Sequence, residues 1–302
     1  MLDLSGRPGD GYGLTMTETT PQYAGVPVRD QDVRLDVTAA EAVEAGRSQR
    51  TRLLDAVESL TDDEWMAQSR CAQWSVQDVV RHLVHVTSMS VESIEAARTG
   101  ARYDGFSAAK FNPKETPHAF LTALGAEPAE ATREAFAAST ARVIAAMDEL
   151  SADKLLADDD VLVATPIGRQ VWHRSLLHGL FDSAVHERDI LAPFGRKPDP
   201  TPPAEEVRAI ASYQVLLVAR ILAVVGAPVD LALRLTGGPD LRVRVAGPLV
   251  SVSSGDLDGA TAEARGEVDA VLDAMTGRGQ LAEVLDAPPE VVMGLSALSS
   301  LV

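Results

Sequence analysis

The sequence has one cysteine, Cys71, in 302 residues. It can form no internal disulfide, no Cys-x-x-Cys redox pair and no multi-cysteine zinc site, which points to a reducing compartment, the cytoplasm by default. Lysine is almost as scarce: Lys110, Lys114, Lys154 and Lys197 leave 23 of the 27 basic residues as arginine. Against them stand 44 acidic residues, a formal net charge of -17. A surface this negative repels phosphate backbones and anionic lipid, which argues against nucleic-acid binding, transcription regulation and membrane-surface roles. Apolar runs of membrane-spanning length are missing as well. The most apolar stretch, Val215 to Val225, is broken by Arg220 and falls short of the roughly 20 residues a span needs. The opening residues, MLDLSGRPGDGYGL, lack a basic start followed by an apolar run, so no signal peptide is expected, and Met16 is a second possible start. There is no Gly-x-Ser-x-Gly elbow and no Gly-rich phosphate loop.

What is present is ample material for a core. Hydrophobic residues make up 46% of the chain, which excludes long disorder outside the ends, and the length suits two domains better than one. Residues 1–36 read as a flexible tail. From Val37 to Leu60, Leu53, Leu54, Val57 and Leu60 fall at helical spacing, and Thr61 with Glu64 forms a capping box. A second helix is expected after Trp74, with Ser75 as N-cap, Asp78 in its first turn and an end near Gly100. Residues 101–126 read as a long loop with room for a short helix, pinned by Phe106, Phe111 and Phe120. A third helix fits Ala129 to Leu150 and a fourth runs from about Arg169 to Leu191, after an apolar piece at Val161 to Val163 and a Thr165-Pro166 turn. Four long helices over 37–192 suggest an antiparallel bundle.

Prolines at 193, 198, 200, 202 and 203 stop regular structure, so 193–203 reads as a linker. Beyond it, 204–302 reads as a small α+β domain. It should hold a helix at 204–226, strands at Leu231–Leu235, Leu241–Val245 and Leu249–Ser253, and helices at Glu267–Met275 and Pro289–Leu301. The fold class expected is therefore α+β, a helical bundle followed by a small mixed domain.

Five of the six histidines lie on two of the predicted bundle helices. His178, Asp182 and His186 are four residues apart on one helix face, and His82 sits among the inward positions Val79, Leu83 and Val86 of another. A carboxylate and an imidazole four apart, joined by an imidazole from a facing helix, can supply three ligands to a divalent metal and leave a fourth position open. Asp189, three residues after His186, can accept the second ring proton of that histidine. The same spacing also suits a plain ion pair on a solvated helix, and His178 is either a fourth contact or the lip of a pocket. His85, His118 and His173 read as structural or surface residues. Cys71 reads as a buried thiol beside Trp74, so a chemistry that needs a thiol would take it from a small molecule.

The run Cys71-Ala72-Gln73-Trp74-Ser75-Val76-Gln77-Asp78-Val79-Val80-Arg81-His82-Leu83 resembles the signature that opens the second bundle helix of mycothiol-dependent maleylpyruvate isomerase-like proteins, members of the DinB-like metal-binding superfamily. Asp182-Ser183-Ala184-Val185-His186-Glu187-Arg188-Asp189-Ile190 is similar to the Glu-x-x-x-His-x-x-Asp-Leu helix of that family. The closing run from Gly266 to Arg278, with the Gly-Pro-bounded strands before it, looks like its sterol-carrier-like small domain. The resemblance covers roughly residues 40–302.

It implies a divalent metal, usually zinc, held by His82, Asp182 and His186. It also implies mycothiol as the thiol cofactor or co-substrate, and an electrophilic or unsaturated acid as substrate. The activity would be cis/trans isomerisation or thiol transfer. The bias toward arginine and alanine matches a GC-rich genome such as an actinomycete's, where mycothiol is the major small thiol. One position departs from the family: Asp182 stands where the pattern has Glu, with a reach shorter by about 1.5 Å, one carbon–carbon bond. Asp does bind zinc, so the shorter side chain is met by a metal shifted toward the fourth helix, a bridging water or recruitment of His178. A lapsed site, in a non-catalytic protein that holds a small apolar ligand or a protein partner, is the alternative. Arg234, Arg242 and Arg244 are candidates for substrate binding by location in the small domain alone.

Overall fold

The computed structural model describes residues 30–99, 101, 103, 115–152, 162–165 and 168–299. The described chain opens with a single 3-10 turn and a three-residue strand, β1 (Val33–Leu35). Helix α1 (Ala39–Glu58) starts at Thr38, whose hydroxyl accepts from the Glu41 N–H while the Glu41 carboxylate accepts from the Thr38 N–H at 2.7 Å. Thr61 and Glu64 repeat this reciprocal cap on α2 (Asp62–Met66). Ser75 and Asp78 do the same at the head of α3 (Val76–Thr99), each accepting from the backbone N–H of the other. Each cap satisfies donors that the first helical turn leaves unpaired, and it fixes where the helix begins.

The expected loop after α3 contains α4 (Thr116–Leu124), and Phe120 stacks on His85 with ring centroids 3.5 Å apart. Phe106 and Phe111 lie outside the described residues. Helix α5 (Ala129–Ala152) follows, then a hairpin of β2 (Leu162–Thr165) and β3 (Gly168–Val171). Because residues 168–171 pair as a strand, α6 (Trp172–Leu191) begins three residues later than its sequence pattern predicts. The four long helices α1, α3, α5 and α6 form a square. Its registers come from single contacts. Arg47 pairs with Asp148, and Arg133 reaches the Leu60 carbonyl, so α1 and α5 are antiparallel. Gln77 meets Thr132 and Arg98 meets Glu149, so α3 and α5 run parallel. His82 lies at Asp182, and a Cβ on Gly179 would meet the Ser90 hydroxyl, so α3 and α6 are antiparallel. Arg174 reaches the Val33 carbonyl and Arg52 meets Glu187, so α1 and α6 are parallel. The antiparallel bundle expected from sequence is thus half parallel; the long crossover between α3 and α5 makes that geometry possible.

After Leu191 the chain makes one 3-10 turn and enters α7 (Ala204–Val224). By length and composition α7 could cross a membrane, yet 67% of its most apolar stretch is buried inside this fold. It lies between the bundle and a sheet built from β4 (Val229–Thr236), β5 (Asp240–Ala246), β6 (Leu249–Ser254), β7 (Ala262–Glu267) and β8 (Leu285–Asp286). The strand order is β1-β6-β5-β4-β7-β8, with β1 parallel to β6, β7 parallel to β4 and the other pairs antiparallel. Helices α8 (Val268–Met275), α9 (Leu281–Val284) and α10 (Pro289–Leu295) complete the fold.

Two features differ from the boundaries drawn in the sequence. The segment read as the end of a flexible tail supplies the edge strand β1, with Val33 buried in the core. The proline-rich stretch 193–203 redirects the chain without dividing the core, because Leu177, Leu180, Phe181, Ala184 and Val185 of α6 pack in one apolar cluster with α7 and the sheet. Arg52 seals that junction, bonding Glu187 at 2.9 Å and also Glu206, all three buried.

Candidate metal centre

The site lies where α3 faces α6. His82 comes from the first third of α3 and Asp182 with His186 from two successive turns of α6, so the four-residue spacing puts the latter pair on one face. His82 Nε2 is 3.5 Å from Asp182 Oδ2, and His186 Nε2 is 3.7 Å from Asp182 Oδ1. One donor atom from each of the three residues lies within 4.8 Å of the other two. A tetrahedral zinc with bonds of about 2.0–2.1 Å sets its ligand atoms roughly 3.3 Å apart, so the group needs only a small contraction to close on an ion. Asp182 Oδ2 is buried without a hydrogen-bond donor, an acceptor that a cation would satisfy. The Asp182 side chain keeps 26% of its surface exposed, which leaves a side of the group open.

The electrostatics favour positive charge at this point. Burial works against the Asp182 charge, but His82, His186 and His178 together hold its carboxyl well below the ordinary carboxylate range. His186 is also penalised by burial, yet its bond to Asp189, with Cys71 and Asp182 beside it, raises it to about 10. Its Nδ1 sits 3.0 Å from Asp189 Oδ2, which fixes the proton on that nitrogen and turns Nε2 toward His82 and Asp182. Asp189 is itself fully buried and pulled well below its ordinary value, against the cost of burial, by His186 and Arg278. Arg70 and Arg278 donate to its two oxygens at 3.0 and 2.8 Å. Trp74 walls the group, its ring centroid 5.1 Å from His82 and 6.1 Å from His186.

Cys71, His186 and Asp189 form a second possible ligand group on the other side of the same imidazole. The Cys71 thiol donates to Asp189 Oδ2 at 3.2 Å, and the Arg278 guanidinium lies 3.7 Å from the sulfur. Two arginines on Asp189 and the thiol donating to it make this group a hydrogen-bonded support for His186. His178 faces the other way, with Nδ1 3.2 Å from the Tyr213 hydroxyl of α7, and burial lowers its pKa. That bond takes up one ring nitrogen of His178, and the imidazole also acts on the Asp182 carboxyl one turn away. His85 is pushed down to about 4 by burial and by neighbouring His82, His118 accepts from the Trp74 indole at 3.3 Å, and His173 is buried beside Trp172.

Residues 47–191 match the family described as the mycothiol maleylpyruvate isomerase N-terminal domain. This stretch of the chain belongs to that family. Two crystal structures, of the mycothiol-dependent maleylpyruvate isomerase and of a histidine-to-alanine mutant of it, are similar to the fold, each with a TM-score of 0.57 over 83% of this chain and 93% of theirs. Their sequence identities to this chain are 14% and 13%, at which the likeness is one of fold. No curated protein sequence matches the chain.

Arg234, Arg242 and Arg244, candidates by location in the small domain, lie on β4 and β5. They alternate with Leu231, Leu233, Leu241 and Val243, which enter the core, so the arginines occupy the opposite face of the sheet. Arg242 is held by Asp230 and the carbonyls of Leu257 and Asp258, Arg234 by Asp240 and Glu263, and Arg244 by Asp230. The small domain reaches the metal group through Arg278 instead. Sequence reading missed Arg70 and Arg278 because their partner lies 119 and 89 residues away; the only local signal was that Arg278 ends the run resembling the family.

Proposed function

We propose that the protein is a divalent-metal-dependent enzyme that activates a low-molecular-weight thiol, mycothiol, for addition to an electrophilic, unsaturated acid. The observation that carries this reading is the convergence of His82, Asp182 and His186 on one point with a side left open. Two imidazoles and one carboxylate are a donor set suited to zinc. Bound zinc supplies Lewis acidity that makes a thiolate available near neutral pH. The protein's own part is positioning. Asp189 holds the His186 proton on Nδ1, Arg70 and Arg278 keep Asp189 ionised, and Trp74 shields the imidazoles from bulk water. Addition of a thiol across a conjugated double bond, rotation about the resulting single bond and expulsion of the thiol give cis/trans isomerisation. Addition without expulsion gives a thiol conjugate, so the substrate decides between isomerase and transferase. The reading places the protein in the cytoplasm, with small molecules as its partners.

The test is metal content by elemental mass spectrometry on protein without a polyhistidine tag. Wild type should carry near one zinc per chain and His82→Ala should carry none while its circular dichroism stays helical. Zinc at about 100 times its dissociation constant should stabilise wild type by about 2.7 kcal/mol, a rise of roughly 4–5 °C in Tm at this size. No metal even after reconstitution would sink the enzyme reading and leave the non-catalytic binding protein.

A further inference from the structure

Arg50 is the anomaly of the bundle. It lies on the inner side of α1, 5% exposed, and among the described residues it makes no hydrogen bond and no ion pair; its Nη1 is buried without a partner. The nearest charge that favours it is the Asp182 carboxylate, too far for a bond. Three hydroxyls share this condition: Thr87 on α3, Thr140 on α5 and Ser183 on α6 are buried with unsatisfied oxygens. Mid-helix hydroxyls normally bond a carbonyl one turn back, as Ser88, Ser90 and Ser139 do here. The other three do not.

The helix registers put Thr87 opposite Thr140, Arg50 within about one turn of that level, and Ser183 next to Asp182. Gln77 with Thr132 and Arg98 with Glu149 set α3 and α5 in parallel with an offset that brings Thr87 opposite Thr140. A Cβ on Gly46 would touch Met147, which brings Arg50, one turn on, to the level just before it on antiparallel α5. Ser183 follows Asp182 directly. Each wall of the square therefore sends one unsatisfied donor into the bundle. A lone guanidinium and three idle hydroxyls are costly to bury, and each is a group that binds a carboxylate well. The charge count agrees. A divalent ion neutralised once by Asp182, with Arg50 beside it, leaves two positive charges, which a thiolate and one carboxylate would balance.

We propose that Arg50, with the hydroxyls of Thr87, Thr140 and Ser183, forms a carboxylate-binding subsite inside the bundle beside Asp182, which takes the acid group of the electrophilic substrate. The substrate role rests on the thiol-addition reading above; the anion site stands on its own residues. The probe is maleate, a small unsaturated dicarboxylate, titrated calorimetrically into the full chain with and without zinc. Wild type should bind it saturably, and Arg50→Met should weaken binding by roughly tenfold or more with zinc content unchanged, while Arg50→Lys should fall between. Without ligand, Arg50→Met should melt at or above wild type, because it removes an unpaired buried charge at similar volume. Maleate should raise Tm for wild type and not for Arg50→Met. A variant that binds maleate as well as wild type, or that melts well below it, would overturn the subsite; so would wild type with no saturable binding, which would leave these groups to water only. Zinc content is read separately: wild type without zinc defeats the metal reading, while maleate binding that still depends on Arg50 upholds the subsite.

Discussion

At the scale of single residues, the support of His186 matters as much as the ligands. A histidine ligand presents its lone pair only when its other nitrogen is held as a donor, and here that task belongs to Asp189 at 3.0 Å. Asp189→Asn leaves shape and volume nearly unchanged but removes the charge that Arg70 and Arg278 clamp. Zinc affinity should fall about 10–100-fold in this variant, the usual effect of losing such a partner, measured by competition with a chromogenic chelator. Unchanged affinity would mean that His186 is oriented by packing against Trp74 and His82 alone. Asp182→Glu is the complementary change: it lengthens the reach and should keep one zinc per chain, whereas Asp182→Ala should lose it, read by the same elemental analysis.

At the scale of elements, α1, α6 and α7 are tied by one arginine. Arg52 spans Glu187 and Glu206, both fully enclosed, and burial raises Glu187 against the pull of Arg52. Removing the cation leaves two facing carboxylates with no counter-charge, so Arg52→Ala should cost about 3–5 kcal/mol of stability, measured by urea unfolding. Arg52→Met combined with Glu187→Met and Glu206→Met should recover much of that loss, since apolar groups of similar size replace a buried ion network well. The reach of sequence reasoning also shows best at this scale. Long helices were legible from their inner stripes, and Thr61 with Glu64 and Ser75 with Asp78 mark two helix starts within a residue. Strands β4, β5 and β6 were legible from alternation between turns. β1, β7 and β8 were not, because three residues carry no period, Ala262–Glu267 holds little of strand preference, and a two-residue strand exists only through its partner. The metal group was legible as spacing on α6 and a histidine on a facing stripe. Arg50 had a weaker signal, a charge one turn before Leu53 and Leu54 on the inner side of α1, and the unpaired state that singles it out exists only in the folded bundle.

At the scale of the whole molecule, the bundle and the sheet are joined at the site itself. Asp273 of α8 accepts from Arg70 beside Cys71 and from Arg188 of α6, at 2.6 and 2.7 Å, and Arg278 just beyond α8 reaches Asp189. Burial opposes ionisation of Asp273, but Arg70 and Arg188 hold it below its ordinary value. A carboxylate with a depressed folded pKa stabilises the fold above its unfolded value near 3.9, and that contribution fades as pH falls through the folded value. Asp273→Asn should therefore lower stability by about 1–3 kcal/mol near neutral pH, and the gap between variant and wild type should close below about pH 4, read as Tm across a pH series. A gap that stays constant in acid would show that the charge of Asp273 is not what joins the two parts. The same junction predicts how the molecule comes apart. A fragment ending at residue 203 bares Leu177, Leu180, Phe181 and Val185 of α6 and leaves Asp189 without Arg278. It also leaves Arg52 and Glu187 without Glu206. Such a fragment should be aggregated or largely unfolded by gel filtration and circular dichroism and should retain no zinc, while the full chain melts in one transition. A monomeric, helical fragment holding zinc would instead show that the bundle alone is sufficient to build the centre, and that α7 and the sheet are added to a site already complete.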